Sequence, residues 1–363
     1  MSARSAARPI LILAGGTGGH VYPALAVAAA LRAHALPVHW LGGARGIEAR
    51  LVPAAGIAFT ALPGRGLRGT GLGRKLLGGP RLAVAVARAW RLIRRIRPRA
   101  ALGFGGYASG AGGIAAWLAR CPLLIHEQNA IAGTTNKALS RFAVRLLAGF
   151  PGVFGVRTEL TGNPVREAFA AIPAPKERYR ERTGTLRLLV TGGSQGASAL
   201  NKTLPAALAQ AKIRFEVRHV AGPRHEEATR AAYAQAGVAT QVIGYEEALW
   251  ERCAWADFAI ARAGALTLAE LAAAGLPAVL VPFPAAVDDH QTANARVFEA
   301  AGAARLLLQS DLTPESLAGL LNELSAGGRE GLLAMAECAR NLACPDAAER
   351  VARTVLEVAE AGR

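Results

Sequence analysis

The sequence predicts an α/β protein of two Rossmann-like, doubly wound parallel-sheet domains. Three observations carry this. Short continuous apolar runs alternate with Ala/Leu-rich helical stretches, as in strands covered on both faces. The first run, Ile10-Leu11-Ile12-Leu13, enters a glycine turn, Gly15-Gly16-Thr17-Gly18-Gly19. The same pattern starts again where residues 186–190 enter Thr191-Gly192-Gly193-Ser194-Gln195-Gly196. At 363 residues the chain has the length of roughly two domains.

After the first glycine turn a helix is expected from about Pro23, since proline suits a first helical turn. Residues 38–41, 100–104, 123–125 and 145–147 read as further strands of the first domain. The uncharged window 100–119 is long enough to span a bilayer. Its six glycines (103, 105, 106, 110, 112, 113) make a strand, a glycine turn and a helix start the better reading. In the second domain, strands are expected at 186–190, 216–220, 241–243, 257–261, 278–283 and 305–308. Between the domains lie Gly162-Asn163-Pro164-Val165-Arg166 and Ile172-Pro173-Ala174-Pro175, a stiff, helix-poor connection. The expected division is 1–163 and 164–344, with a last helix in 345–363 placed to pack back on the first domain.

Composition excludes several classes. Apolar residues are 52% and charged residues 19%, so a packed core is expected rather than disorder. Four cysteines in this length form no disulfide framework and read as free thiols in a reducing compartment. The net charge of +16 is unevenly placed. Residues 1–163 hold 21 basic side chains against Glu48, Glu127 and Glu159, a net of +18; the rest of the chain is −2. Residues 65–99 contain 11 basic and no acidic side chains. That asymmetry points to a polyanionic partner.

Glycines between a strand and a helix let backbone N–H groups approach a phosphate, with the helix dipole in support. The first turn has no following Lys-Ser/Thr, so it is not a Walker loop. No acidic residue ends the second strand to hold a ribose, which argues against a nicotinamide enzyme. His20, at the carboxyl end of the first strand, is a candidate general base. His126-Glu127-Gln128-Asn129 follows another strand, where open α/β sheets place ligand groups. Ala130 breaks any metal-binding H-E-x-x-H pattern, and no ligand set with metal spacing occurs. Gly264 opens a helix whose positive end suits a diphosphate, with Glu270 further along to accept from ribose hydroxyls. Asp288-Asp289-His290-Gln291 reads as a solvated or sugar-binding loop.

Taken together, Gly15 to His20, Gly105-Gly106-Tyr107, His126 to Asn129, Gly162 to Arg166, Gly192 to Gly196 and Gly264-Ala265-Leu266-Thr267 resemble the MurG family of peptidoglycan glycosyltransferases, over nearly the whole chain. The resemblance implies a GT-B fold, two Rossmann-like domains facing an interdomain cleft. It implies inverting transfer of GlcNAc from UDP-GlcNAc to the C4 hydroxyl of MurNAc in lipid I, giving lipid II, with no metal or cofactor. Implied donor contacts are Thr17, Gly18, Gly19, Asn129, Arg166, Ser194, Gly264, Ala265, Leu266, Thr267, Leu268, Ala269, Glu270 and Gln291. His20 is the candidate base, with Glu127 as the alternative base or orienter. The uracil contact stays open, and the sugar loop aligns only over residues 289–291. Implied partners are UDP-GlcNAc, lipid I, cell-wall and division proteins, and the anionic cytoplasmic face of the inner membrane.

Apolar residues among the cations of residues 65–99 fit that peripheral attachment, with Leu72, Lys75, Leu76, Leu77 and Trp90 as membrane candidates. Two other readings compete. One is a different nucleotide-sugar enzyme of the same fold, a glycolipid transferase or UDP-GlcNAc 2-epimerase. The other is a nucleic-acid-binding protein, which would need stacking aromatics among the charges. Trp90 is the sole aromatic in residues 65–99, so no nucleic-acid partner is expected.

Overall fold

The computed structural model describes residues 8–63, 72–193 and 196–361, leaving the side chains of 72–78 and 287 outside the description. It divides into two units, changing over between Arg166 and Glu167 and returning to the first at Asp346.

In the first unit seven parallel strands are β1 (Ile10–Leu13), β2 (Val38–Gly43), β3 (Ala58–Leu62), β4 (Ala100–Gly103), β5 (Leu123–Glu127), β6 (Arg145–Ala148) and β7 (Thr158–Leu160). Their order is β3-β2-β1-β4-β5-β6-β7. Alternate β1 residues face opposite layers. Ile10 and Ile12 pack with Val27, Val351 and Val355, while Leu11 and Leu13 pack with Ala89 and Leu92. The C-terminal helix Ala347–Ala361 therefore buries its apolar stripe on this unit beside α1 (Gly18–Ala33). Helices α2 (Glu48–Ala54), α3 (Leu72–Ile96) and α4 (Gly106–Leu118) complete the elements that matter below.

The second unit holds six parallel strands: β8 (Leu186–Thr191), β9 (Phe215–Val220), β10 (Thr240–Ile243), β11 (Phe258–Ala261), β12 (Ala278–Leu280) and β13 (Ala304–Leu306). Their order is β10-β9-β8-β11-β12-β13. The strand order across each sheet thus reverses once, at β1/β4 and at β8/β11. In open α/β sheets ligands bind at the carboxyl ends of such a pair, where the flanking loops diverge.

Some details depart from the sequence expectation. Helix α1 starts at Gly18, not Pro23, and carries the proline inside. Pro23 has no N–H, so the Gly19 carbonyl loses its i+4 partner near the helix start, where the disruption is small. Strands β3 and β7 were not foreseen: both are edge strands of mixed polarity with partly exposed side chains. Strand β12 stops at Leu280 rather than 283, because Pro282 and Pro284 cannot donate to a ladder.

Candidate active site

At the β1/β4 reversal, residues 15–20 meet the Gly105-Gly106 turn. Both turn glycines have positive φ, 103° and 78°. A Cβ on Gly105 would lie 3.1 Å from Nε2 of His20, so glycine lets the imidazole rest against this turn. His20 Nδ1 lies 3.3 Å from the Gly15 carbonyl and 3.5 Å from the Thr17 hydroxyl. A carbonyl only accepts, so Nδ1 carries the proton in that bond, and in the neutral ring Nε2 holds the lone pair.

Asn136 lies 3.6 Å from the same Gly105 Cβ position and donates to Glu127 Oε2 at 2.9 Å. His20 and Glu127 thus share one neighbourhood of the first unit. The Glu127 side chain is buried, and four donors occupy its two oxygens. Asn129 N and Nδ2 lie 3.0 and 3.1 Å from Oε1; Gly133 N and Asn136 Nδ2 lie 3.0 and 2.9 Å from Oε2. A carboxylate so engaged holds the 128–136 loop.

Next to it His126 is completely buried. Its Nε2 donates to the Gly162 carbonyl and its Nδ1 accepts from Gln128. Burial pushes its pKa down to about 4, so it stays neutral. Asn163 donates to the Gln128 carbonyl, tying the segment that leaves the first unit to the end of β5. Arg166 belongs to this first unit, not the second as the expected division had it, and its guanidinium lies 5.8 Å over the Tyr22 ring. Thr17 is the N-cap of α1 without a side-chain cap bond, which leaves first-turn N–H groups of Gly18 and Gly19 without intrahelical acceptors.

At the β8/β11 reversal, Gly264 is the N-cap of the helix Ala265–Ala274, again without a side-chain cap. The N–H groups of Ala265, Leu266 and Thr267 therefore form an electropositive end suited to a phosphate. Leu268 is fully buried in the core, which limits it to packing rather than side-chain contact with a donor. Ala269 is partly exposed, and Glu270 is buried at 7% exposure. Asn294 donates to the Ala263 carbonyl and steadies the approach to that helix. Gln291 accepts from the backbone N–H of Phe283 at 3.0 Å, fixing the loop after β12. Asp288 and Asp289 both take left-handed φ, a conformation that aspartate tolerates. Ser194 falls outside the described residues.

The sequence reading missed three features. Glu48 is 1% exposed beneath the first glycine turn and accepts from Gly16 N and Gly43 N. In the second unit a cavity of about 530 Å³ opens beside Gly196, walled by Lys202, His225, Arg262 and Phe283. Third, the Trp117 and Phe142 rings meet at 4.8 Å on the surface, tilted by 38°, and are 50% and 40% exposed. Trp90 is exposed on α3 with Arg94 over its ring at 5.6 Å, whereas the side chains of Leu72, Lys75, Leu76 and Leu77 lie outside the described residues. Among the described residues no cluster of His, Cys, Asp or Glu could hold a metal.

Two parallel-sheet domains, each with a glycine turn and an uncapped helix end at its reversal point, have the architecture of a GT-B glycosyltransferase. Residues 10–148 match the glycosyltransferase family 28 N-terminal domain and residues 187–351 its C-terminal domain. A relative from Alkalilimnicola ehrlichii is 56% identical over 97% of this chain and 99% of its own. One from Aeromonas hydrophila is 50% identical over 95% of each. Both are called UDP-N-acetylglucosamine–N-acetylmuramyl-(pentapeptide) pyrophosphoryl-undecaprenol N-acetylglucosamine transferase. A crystal structure of Acinetobacter baumannii MurG superposes with a TM-score of 0.84 at 38% identity, covering 96% of this chain and 99% of that one. The chain belongs to glycosyltransferase family 28, within the group of these N-acetylglucosamine transferases.

Proposed function

We propose that this enzyme moves GlcNAc from UDP-GlcNAc to the C4 hydroxyl of MurNAc in undecaprenyl-pyrophosphoryl-MurNAc-pentapeptide, with inversion. Relatives at 50–56% identity named for this substrate pair support the reading. The observation that carries the mechanism is the His20 imidazole, held by Gly15 through Nδ1 so that Nε2 is basic. Nε2 takes the proton of the C4 hydroxyl as its oxygen bonds to the anomeric carbon. The bond from that carbon to the UDP oxygen breaks, and UDP leaves with the electron pair. One displacement on the face opposite the leaving group gives inversion. The free N–H groups at the start of helix Ala265–Ala274 stabilise the charge growing on the diphosphate, and Glu270 holds the ribose. Thr17, Gly18, Gly19, Asn129, Arg166, Ser194 and Gln291 complete the donor contacts.

The enzyme works as a peripheral protein on the anionic cytoplasmic face of the membrane. No helix among the described residues is long and apolar enough to cross one. Exposed Arg81, Arg88, Arg91, Arg94, Arg95 and Arg97 on and just after α3, with Val84 and Trp90 between them, support contact with acidic headgroups. Transfer of labelled GlcNAc to a lipid I analogue, with UDP-GalNAc as control, tests the function. Turnover with UDP-GlcNAc is expected, reduced about 10²–10⁴-fold by His20→Ala at saturating acceptor. Near-normal turnover of that variant would remove His20 as base.

A further inference from the structure

The strongest unexplained group in the first unit is a buried anion. Glu48, in the first turn of α2, is 1% exposed, and among the described residues no Lys or Arg pairs with it. Its charge is met by backbone N–H groups. Gly16 N lies 3.2 Å from both carboxylate oxygens and Gly43 N lies 2.8 Å from Oε1. The chain is shaped around this side chain: a Cβ at Gly15, Gly42 or Gly46 would collide with it. Burying a carboxylate without a counter-cation is costly. Closing a loop does not by itself require a charge there.

One peptide unit gives the charge a use. The N–H that donates to Glu48 is that of Gly16, and the carbonyl that receives His20 Nδ1–H is that of Gly15. These are the two ends of the same planar amide, coupled by resonance across the C–N bond. An N–H bonded to an anion pushes electron density toward its own carbonyl oxygen, which becomes a better acceptor. We infer that Glu48 is a positioning residue for His20, acting through the Gly15–Gly16 peptide. It selects the Nδ1–H tautomer, and its negative charge stabilises the imidazolium formed when Nε2 takes the substrate proton. The arrangement performs the orienting task of an acid–base dyad with an amide inserted between carboxylate and imidazole. A Cβ on Gly106 would lie 2.7 Å from the Gly15 carbonyl oxygen, so glycine at 106 leaves that carbonyl room beside the His20 ring.

This inference rests on His20 being the base, but its first test needs no substrate. With ¹⁵N-labelled histidine, NMR of the whole protein reports which ring nitrogen is protonated, and the signal lost in His20→Gln identifies the residue. His20 is expected as the Nδ1–H form in the unmodified protein and shifted toward Nε2–H in Glu48→Gln. Finding Nε2–H in the unmodified protein overturns the proposal whether or not any variant folds. In the transfer assay, Glu48→Gln is expected to lower kcat about tenfold with the KM for UDP-GlcNAc unchanged. Glu48→Asp, which keeps the charge, is expected to recover part of that loss. A fall in kcat with an unchanged tautomer, or equal losses in Glu48→Gln and Glu48→Asp, would make Glu48 merely structural. Absence of transfer by the unmodified protein would refute the substrate reading and leave the tautomer result standing on its own.

Discussion

Glu127→Gln separates an anchoring carboxylate from a catalytic one. In the native site each oxygen accepts two N–H donors at 2.9–3.1 Å, and the side chain is 2% exposed. Glutamine keeps the shape and one oxygen but turns an NH₂ group toward two donors. Two charge-assisted bonds are lost, each worth about 1.5–3 kcal/mol. A loss of at least about 3 kcal/mol is therefore expected, or roughly 6–12 °C in the Tm of a domain of this size. The loop bearing Asn129 loosens, so the KM for the donor rises, while kcat falls far less than the roughly 10²–10⁴-fold of a removed general base. Calorimetry and transfer kinetics on the same preparation decide it. An unchanged Tm with a hundredfold loss of kcat would refute the anchoring role and make Glu127 the base.

Two further expectations concern pH and the membrane. Burial lowers the pKa of His126 to about 4 and of His219 to about 3. An unfolded histidine near 6.5 takes up a proton that the folded one refuses, so stability is full above about pH 6.5 and falls below it. Each histidine contributes a slope of up to about 1.4 kcal/mol per pH unit; urea midpoints that stay flat between pH 6.5 and 5 would contradict this. In flotation assays the protein should bind vesicles containing acidic lipid more than neutral ones, with salt abolishing the difference. Equal binding to neutral vesicles would refute the electrostatic part.

Much of the fold was legible because buried parallel strands are unbroken apolar runs and the glycine turns between strand and helix are conspicuous. Edge strands β3 and β7 escaped notice since their side chains are partly exposed and carry no hydrophobic period. The candidate site was legible as residue types, His20 and Glu127 among them. Their roles were not. Whether a carboxylate is a base or an anchor depends on which donors reach it, and those donors come from positions 129, 133 and 136.

Glu48 shows the same limit. By sequence it was one acid among the basic residues of the first half, and the end of β2 held no acid to mark a site. Only the pairing of β1 with β2 brings α2 beneath the first glycine turn. The sequence alone determined the two-domain α/β plan, the glycine turns and the concentration of positive charge, because these follow from local periodicity and composition. Tertiary structure decided which N–H meets which oxygen, which carbonyl the His20 Nδ1 faces and why Gly15 is a glycine. Those properties depend on distances of a few tenths of an ångström between segments far apart in the chain, and no local pattern encodes them.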